Sequence, residues 1–344
     1  MEVEISLNEP ASSTIARIRS KGALEARAIL EGLSAPGFEA FLRETRRLTD
    51  EKFGKRLKCY VPGNDFPAMS VTGDACELRC KHCNERYLHG MIPAETPEKL
   101  EKALRGVQAS GGSGALISGG STKDGIVDTR AFLGVLERVK HDTALQLNMH
   151  TGLIDEATAR RLHVTGVDTI SLDLVGDDAT IRDIYGLNKT VADYKRVLRG
   201  LMDAGFTNRQ IIPHVCIGLN KGTIQGEYNV LDYVSILNPR LIVFIVLIPP
   251  KSATVPGSSD GFVNVPPVEV SRLIATTRSM FPAAELSIGC MRPGGKVRNE
   301  YDVAAFKAGI TRIALPTRNL LKMVETLGYG IEYAKNCCAM GSMH

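Results

Sequence analysis

The sequence contains no tryptophan and few other aromatic residues, since phenylalanine, tyrosine and tryptophan together make up 6% of the chain. Proteins that bind single-stranded nucleic acid without sequence preference stack the bases on aromatic side chains, so no surface of that kind is predicted. The formal net charge is only +4 at pH 7, which is too small an excess to indicate binding to a polyanion. A nucleic-acid partner is therefore not expected.

Long hydrophobic runs are absent as well. The longest apolar run, 241–248, is far shorter than the roughly 20 residues that a membrane-spanning helix requires. The first residues, Met1-Glu2-Val3-Glu4, have neither the basic region nor the apolar core of a secretion signal. We therefore expect a cytoplasmic protein with no membrane partner.

Cysteine, in contrast, is abundant, with eight residues in the chain. In a reducing cytoplasm, so many thiols indicate metal or redox chemistry more than disulfide bonds. Cys59 is the exception, because its neighbours are apolar and it is expected to be a small buried hydrophobic residue. The other seven are Cys76, Cys80, Cys83, Cys216, Cys290, Cys337 and Cys338.

The pattern divides the chain into three parts. Residues 1–55 are predicted to form an arginine-rich helical extension, 56–328 the main domain, and 329–344 a tail that carries the Cys337-Cys338 pair. In the main domain, short apolar runs bounded by glycine, proline or polar residues alternate with helical patterns. The predicted strands are 69–72, 115–118, 145–149, 169–174, 211–217, 241–247, 285–288 and 312–315. The predicted helices are 97–108, 129–140, 155–164, 191–204, 227–237, 267–281, 302–308 and 317–327.

Strands that alternate with helices in this way indicate a parallel sheet. Closure into a single (β/α)8 TIM-type barrel is the simplest arrangement, and an open doubly wound sheet is the competing one. The main motifs fall on the loops that follow the strands, where such barrels build their chemistry. The arginines of the helical extension predict either a solvated face or a docking surface for an acidic partner.

A compact cysteine motif follows the first predicted strand of the barrel. Cys76, Cys80 and Cys83 have the spacing CxxxCxxC, and thiolates are soft ligands suited to zinc or to iron–sulfur clusters. Structural zinc normally has four protein ligands, and the nearby His82 is expected to point elsewhere. Three thiolates on a cubane cluster would instead leave one iron open to another ligand.

This loop resembles the signature of the radical S-adenosylmethionine (SAM) superfamily. In that family the open iron chelates the amino and carboxylate groups of SAM, and one electron from the cluster splits SAM into methionine and a 5′-deoxyadenosyl radical. The resemblance implies that Cys76, Cys80 and Cys83 bind a 4Fe–4S cluster. The two cofactors would carry the difficult chemistry while the protein binds and orients them.

Further elements of the family follow in order. Ser118-Gly119-Gly120-Ser121 resembles the segment whose backbone meets the methionine amino group of SAM, with Ser121 in place of a glutamate. Glycine permits close approach of the backbone at such a place. On the fifth predicted strand, Cys216 and Gly218 belong to a segment similar to the one that packs on adenine. All of these residues are candidates for cofactor binding.

Two inward faces supply the remaining candidates for SAM binding. Alternation along a strand places Asn148 and His150 on one face of the third strand, and Ser171 and Asp173 on one face of the fourth. Asp173 resembles the residue that contacts the ribose hydroxyls in biotin synthase. His150 fits either a core residue or a site residue.

From about residue 67 to 315, the order and spacing of these elements resemble biotin synthase. There a second iron–sulfur cluster, deep in the barrel, donates sulfur and is held by cysteines and one arginine. Cys216 falls where one of those cysteines lies, and Cys290 where the arginine lies. The two other ligand regions, at Gly120 and 149–151, contain no cysteine. A cluster of that type cannot be assembled here in the same way, so biotin synthase activity is not expected.

The remaining soft ligands are Cys290, after the seventh predicted strand, and the Cys337-Cys338 pair. Adjacent cysteines rarely form a disulfide with each other and suit cluster ligation. A tail that folds back over the barrel mouth would bring them to the catalytic face, whereas a disordered tail would not. We expect these three residues to hold an auxiliary 4Fe–4S cluster.

Further stretches of the sequence resemble a biotin-synthase-like group of proteins. They include Gly90-Met91-Ile92-Pro93, Ile184-Tyr185-Gly186-Leu187 and Gly289-Cys290-Met291-Arg292-Pro293. Some members work as a two-protein lipoyl synthase of the archaeal type. The resemblance implies that the radical removes hydrogen from an octanoyl chain on a lysine of a carrier protein. The carbon radical then takes sulfur from the auxiliary cluster. A partner radical SAM subunit would insert the other sulfur, and ferredoxin or flavodoxin would supply electrons.

Two other hypotheses stay open at this point. The chain could be a radical SAM enzyme that rearranges or methylates a small molecule, with a second cluster that transfers electrons. It could also be a scaffold protein with structural zinc. The loss of sulfide during turnover separates the first alternative from sulfur insertion, and the metal content of protein purified without oxygen identifies the second.

Overall fold

The computed structural model describes residues 10–250 and 261–340. At its centre is a curved parallel sheet, which has eleven strands in the described residues. The strands are β1 (Arg56–Tyr60), β2 (Ala68–Ser70), β3 (Ile92–Pro93), β4 (Gly114–Ser118), β5 (Gln146–His150), β6 (Thr169–Leu174), β7 (Ile211–Ile217), β8 (Leu241–Val246), β9 (Glu285–Ile288), β10 (Arg312–Ala314) and β11 (Gly330–Ala334).

The strand order confirms the predicted TIM-type barrel. β2 and β4 to β10 correspond to the eight predicted strands and lie side by side in chain order. A doubly wound sheet is excluded, because its strand order would reverse at one point. Their bounds differ from the predicted ones by at most two residues, which is the usual uncertainty at strand ends.

Three strands were missed by the sequence analysis. β1 lies between β10 and β11, and β3 lies beside β2 at the other edge. β3 is only two residues long, β11 is a largely exposed edge strand, and alternate positions of β1 carry Arg56 and Lys58. None of the three has the apolar run by which buried parallel strands are recognised. The segment Gly330–Ala334, which the sequence placed in the tail, is therefore part of the sheet.

Helices cover the outer face of the sheet. The described part of the chain has no helix long and apolar enough to cross a membrane. The helices are α1 (Ala11–Lys21), α2 (Ala23–Glu31), α3 (Ala35–Phe53), α4 (Pro97–Ala109), α5 (Leu133–Asp142), α6 (Glu156–Val164), α7 (Asp178–Thr180), α8 (Val191–Asp203), α9 (Glu227–Val234), α10 (Pro267–Met280), α11 (Lys296–Ala308) and α12 (Arg318–Thr326).

The helical extension is attached to the outside of the barrel, where α1, α2 and α3 pack against α9, α10 and α11. Several of its arginines make bonds within the chain. Arg19 donates to the carbonyl of Ser279 (2.8 Å), and Arg46 to that of Ile310 (2.8 Å). Arg27 forms an ion pair inside α2. These residues attach the extension to the barrel, and docking of an acidic partner on it stays a prediction.

The sheet separates two apolar cores. The larger lies between the strands and the helices and contains Cys59, which is fully buried, so the prediction of a small buried residue is confirmed. The smaller lies inside the barrel, where Ile212 of β7 and Val243 of β8 pack against Cys338 and Ala339. The last described residues of the chain are therefore core residues of the barrel interior.

The C-terminal segment, residues 336–340, enters the barrel and does not cover its mouth. Asn336 donates to Gln146 (3.3 Å), and Thr169 donates to the sulfur of Met340 (3.4 Å). Gln146 and Thr169 are the first residues of β5 and β6. The segment thus reaches the amino-terminal half of the barrel, and the expectation of a tail folded over the mouth was wrong. Its small and apolar side chains match the apolar interior better than solvent.

Candidate functional site

The three-cysteine loop follows β2 directly, at the mouth of the barrel. The backbone N–H of Cys83 donates to the carbonyl of Cys80 (3.0 Å), and burial raises the pKa of Cys80 to about 12, with a smaller contribution from the thiols of Cys83 and Cys76. The pKa of Cys83 is also raised by burial, although backbone groups of Tyr87 and Glu85 hydrogen bond to its sulfur and oppose the shift. Such bonds favour the thiolate, which is the form that binds metal. The loop is therefore suited to hold a cluster.

The segment Ser118-Gly119-Gly120-Ser121 supports this loop from the neighbouring strand. The carbonyl of Ser121 accepts a hydrogen bond from the backbone N–H of Glu77 (2.9 Å), and the N–H of Gly120 donates to the hydroxyl of Thr72 (2.7 Å). Gly120 packs directly against the backbone of Cys76. The two glycines therefore hold the cysteine loop close to the end of β4.

His82 turns away from its neighbouring cysteines. Its ring packs edge-on against Tyr185, with 5.0 Å between the ring centroids, and burial lowers its pKa to about 4. Tyr185 ends a π-helical turn, Ile181–Tyr185, whose Ile184 carbonyl accepts a hydrogen bond from Lys81 (2.9 Å). Such turns are frequent at functional sites. Sequence analysis did not single out Tyr185 as a support of the loop, and only the following Gly186 marks the turn's end.

His150, Asp173 and His214 form a polar group near the carboxyl ends of β5, β6 and β7. Nδ1 of His150 lies 3.6 Å from Oδ2 of Asp173, and the two imidazole rings are 5.4 Å apart. Enclosure by the barrel raises the pKa of Asp173, but the hydrogen bond from His150 and the nearby imidazoles outweigh it, so the net pKa is lowered. Asp173 is half-exposed and ionised at neutral pH, so it can accept hydrogen bonds from a ligand.

Asn148 and Ser171 lie deeper in the barrel than this polar group. Both are buried, and the Asn148 carbonyl oxygen accepts hydrogen bonds from Ser171 (2.9 Å) and Thr169 (3.1 Å). The amide nitrogen of Asn148 lies 3.9 Å from the sulfur of Cys337. The structure therefore places these two candidate SAM residues beside the C-terminal segment, not beside Asp173.

Gly218 and Cys216 occupy the end of β7. Gly218 has a φ of +75°, its N–H donates to Glu227 (2.7 Å), and a Cβ atom there would lie 2.2 Å from Val265. Glycine is thus required for packing, whatever the ligand. Enclosure, with Glu227 and Asp173 nearby, raises the pKa of Cys216, whose side chain lines a small cavity next to Gly226.

Cys337 and Cys338 lie inside the barrel, and 46 residues separate Cys337 from Cys290 in sequence. The thiol of Cys338 hydrogen bonds to Cys337 and lowers the pKa of Cys337, whose sulfur also accepts the N–H of Ala339 (3.5 Å). The Cys290 thiol lies within electrostatic range of both. Fully buried Ser287 lies next to Cys338.

Whether an iron–sulfur cluster fits at each of the two cysteine groups depends on the ligand atoms that the group offers. In the ranges 10–250 and 261–340, no three Cys, His, Asp or Glu side chains already surround a point that could hold one metal ion. Each cysteine group nevertheless offers three soft sulfur ligands with hydrogen-bond donors beside them, which is the environment of iron–sulfur ligands. The first group would hold the SAM-binding cluster.

Comparison with known proteins agrees with this chemistry. A family model for the radical SAM superfamily matches residues 70–230, which include the cysteine loop, the glycine segment and Asp173. The biotin synthase of Buchnera aphidicola is 24% identical over 71% of this chain and 70% of its own length. That of Gloeobacter violaceus is 24% identical over 69% of this chain and 73% of its own length.

Solved structures show the same fold. Methylornithine synthase superposes with a TM-score of 0.62 at 16% identity, over 95% of this chain and 97% of that one. The FeFe-hydrogenase maturase from Carboxydothermus hydrogenoformans superposes with a TM-score of 0.67 at 12% identity, over 96% and 81% of the two chains. The chain is therefore similar to the radical SAM superfamily over residues 70–230 and to biotin synthases over about 70% of its length, and it shares its fold with these two solved structures.

Proposed function

We propose that this radical SAM enzyme inserts sulfur into a C–H bond of an octanoyl chain that is bound to a lysine of a carrier protein, in lipoyl cofactor biosynthesis. The observation that supports sulfur insertion is the position of Cys337 and Cys338 inside the barrel, within electrostatic range of Cys290. These residues would hold an auxiliary 4Fe–4S cluster as the sulfur donor. The octanoyl substrate rests on the resemblance to the two-protein lipoyl synthase.

Each group of residues then has its own task. When bound, the first cluster and SAM supply the 5′-deoxyadenosyl radical. Cys76, Cys80 and Cys83 hold that cluster, and the ionised Asp173 would accept hydrogen bonds from the ribose hydroxyls.

The proposal requires other proteins and a suitable compartment. A partner radical SAM subunit would insert the second sulfur, a carrier domain would present the octanoyl-lysine, and ferredoxin or flavodoxin would supply electrons. The cytoplasm would keep the thiols of both groups reduced.

Iron and sulfide counts after anaerobic reconstitution test this function. A variant with Cys76, Cys80 and Cys83 changed to Ala should keep about four irons per chain, held by the remaining cysteines. A variant with Cys290, Cys337 and Cys338 changed to Ala should also keep about four, held by the mouth loop. Cys59→Ala is the matched control and should bind as much iron as the wild type. If the first variant holds no iron, the sulfur-donor proposal fails.

A turnover experiment separates sulfur insertion from the other radical reactions. With SAM, reductant and an octanoyl-lysine peptide, the auxiliary cluster should lose sulfide as the peptide gains sulfur. Full retention of sulfide during turnover of a small molecule would instead support rearrangement or methylation, with the second cluster in electron transfer.

A further inference from the structure

The C-terminal segment is held inside the barrel by one buried arginine. Arg312, on β10, has no exposed surface, and its guanidinium donates to the carbonyls of Met340 (2.6 Å) and Cys338 (3.3 Å). The same group forms an ion pair with Glu285 on β9 and lies 5.5 Å from the ring centroid of Tyr60. Arg312 thus joins the barrel wall to the segment that carries the cysteine pair.

The segment depends on such a partner because it lies beyond the last strand, β11. Buried backbone carbonyls require hydrogen-bond donors, and strand pairing supplies none for Cys338 and Met340. The planar guanidinium can bond two carbonyls and a carboxylate at once, which an ammonium group cannot do in the same geometry.

We propose that Arg312 is a positioning residue that fixes the C-terminal segment, with Cys337 and Cys338, inside the barrel. The attachment itself concerns this chain alone. What the three thiols bind rests on the proposed function above. Arg312 contacts neither substrate nor SAM in this role.

Thiol alkylation of the metal-free protein tests the attachment. Iodoacetamide should modify Cys338 about tenfold faster, or more, in Arg312→Gln than in the wild type, since the loss of bonds to a charged group releases the segment. Arg278→Gln is the matched control: Arg278 is also fully buried and bonds to the carbonyls of Gly309 and Ala284, but outside the barrel. That variant should leave the Cys338 rate unchanged.

Cys59, in the outer core, reports global unfolding in the same experiment. Unchanged alkylation of Cys338 in Arg312→Gln, with Cys59 protected, overturns the proposal. If Cys59 also reacts in Arg312→Gln, the variant has unfolded, and Arg312→Lys is measured in its place. Lysine keeps the positive charge beside Glu285 but cannot bond to both carbonyls and the carboxylate at once. Cys338 must then react faster than in the wild type while Cys59 stays protected, and a wild-type rate overturns the proposal.

A second measurement links the attachment to the cluster. In the Cys76/Cys80/Cys83→Ala background, Arg312→Gln should lower bound iron from about four per chain to near zero, whereas Arg278→Gln should not. Iron retained in full by Arg312→Gln contradicts positioning of the ligands. If the background protein itself binds no iron, the proposed function fails, while the alkylation result still decides the role of Arg312.

Discussion

Gly120 and Ala75 touch backbone to backbone: a Cβ atom built on Gly120 would lie 2.0 Å from the carbonyl oxygen of Ala75. It would also lie 2.7 Å from Cα of Cys76. Neither neighbour is the movable end of a side chain, so any larger residue at this position must displace the start of the cysteine loop. The position of the first cluster ligand is thereby set from the end of β4.

Gly120→Ala should therefore impair the SAM-binding cluster. We expect the free energy of unfolding to fall by roughly 1–3 kcal/mol, as overpacking usually costs. Iron bound in the Cys290/Cys337/Cys338→Ala background should fall clearly below about four per chain. Gly106→Ala, in α4, is the control, because a Cβ atom there would meet nothing within 4 Å. If Gly120→Ala binds as much iron as the same background protein with Gly120, the cysteine loop tolerates the added methyl group and the prediction is wrong.

Asp173→Asn should weaken SAM binding. Losing hydrogen bonds to a charged carboxylate costs about 1.5–3 kcal/mol, which corresponds to a dissociation constant about 10- to 100-fold higher. Equilibrium binding of SAM to the anaerobically reconstituted protein measures the change. Asp183→Asn, whose carboxylate pairs with Arg182 on the surface, is the control and should bind SAM like the wild type. Equal affinities in all three proteins would remove Asp173 from the SAM site.

His214 should make the stability of the metal-free protein depend on pH. Burial lowers its pKa from the ordinary 6.5 to about 4, so the unfolded chain takes up this proton at higher pH than the folded one. Stability is therefore lost as pH falls between about 6.5 and 4, by up to roughly 3 kcal/mol from this residue. Urea unfolding of His214→Gln should show a flatter dependence on pH.

The matched control for this measurement is His141→Gln, at the exposed end of α5. Loss of the exposed contact between His141 and Asp142 should change the pH dependence of stability less than the loss of His214 does. An unchanged slope in His214→Gln would mean that the imidazole takes up its proton in the folded protein as readily as in the unfolded chain, in conflict with its buried position.

Local sequence patterns predicted most strands of the barrel and the first cysteine group. The eight predicted strands have apolar runs long enough to be recognised, and Cys76, Cys80 and Cys83 fall within one loop. Such features depend on neighbouring residues, so they are visible before folding. β1 and β11 were missed because their pairing joins segments far apart in the chain, and their composition does not resemble that of buried strands.

Alternation correctly placed Asn148 and His150 on the same face of β5. The two side chains nevertheless have different neighbours, because they lie at different depths in the barrel. His150 meets Asp173 near the mouth, whereas Asn148 meets Cys337 below it. Period-two patterning specifies a face of the sheet, and it contains no information on what fills the barrel at each level. The contact of His82 with Tyr185 could not be predicted from the sequence either, because it depends on the turn after α7.

Short stretches of the chain were enough to locate eight of the strands, the three-cysteine loop and the soft character of the Cys337-Cys338 pair. Folding was needed to show that these strands lie side by side in chain order, and that the pair lies inside the barrel with the Cys338 carbonyl bonded to Arg312. The physical reason is that a buried arginine, unpaired carbonyls and an apolar interior satisfy one another only after the sheet has curled around them.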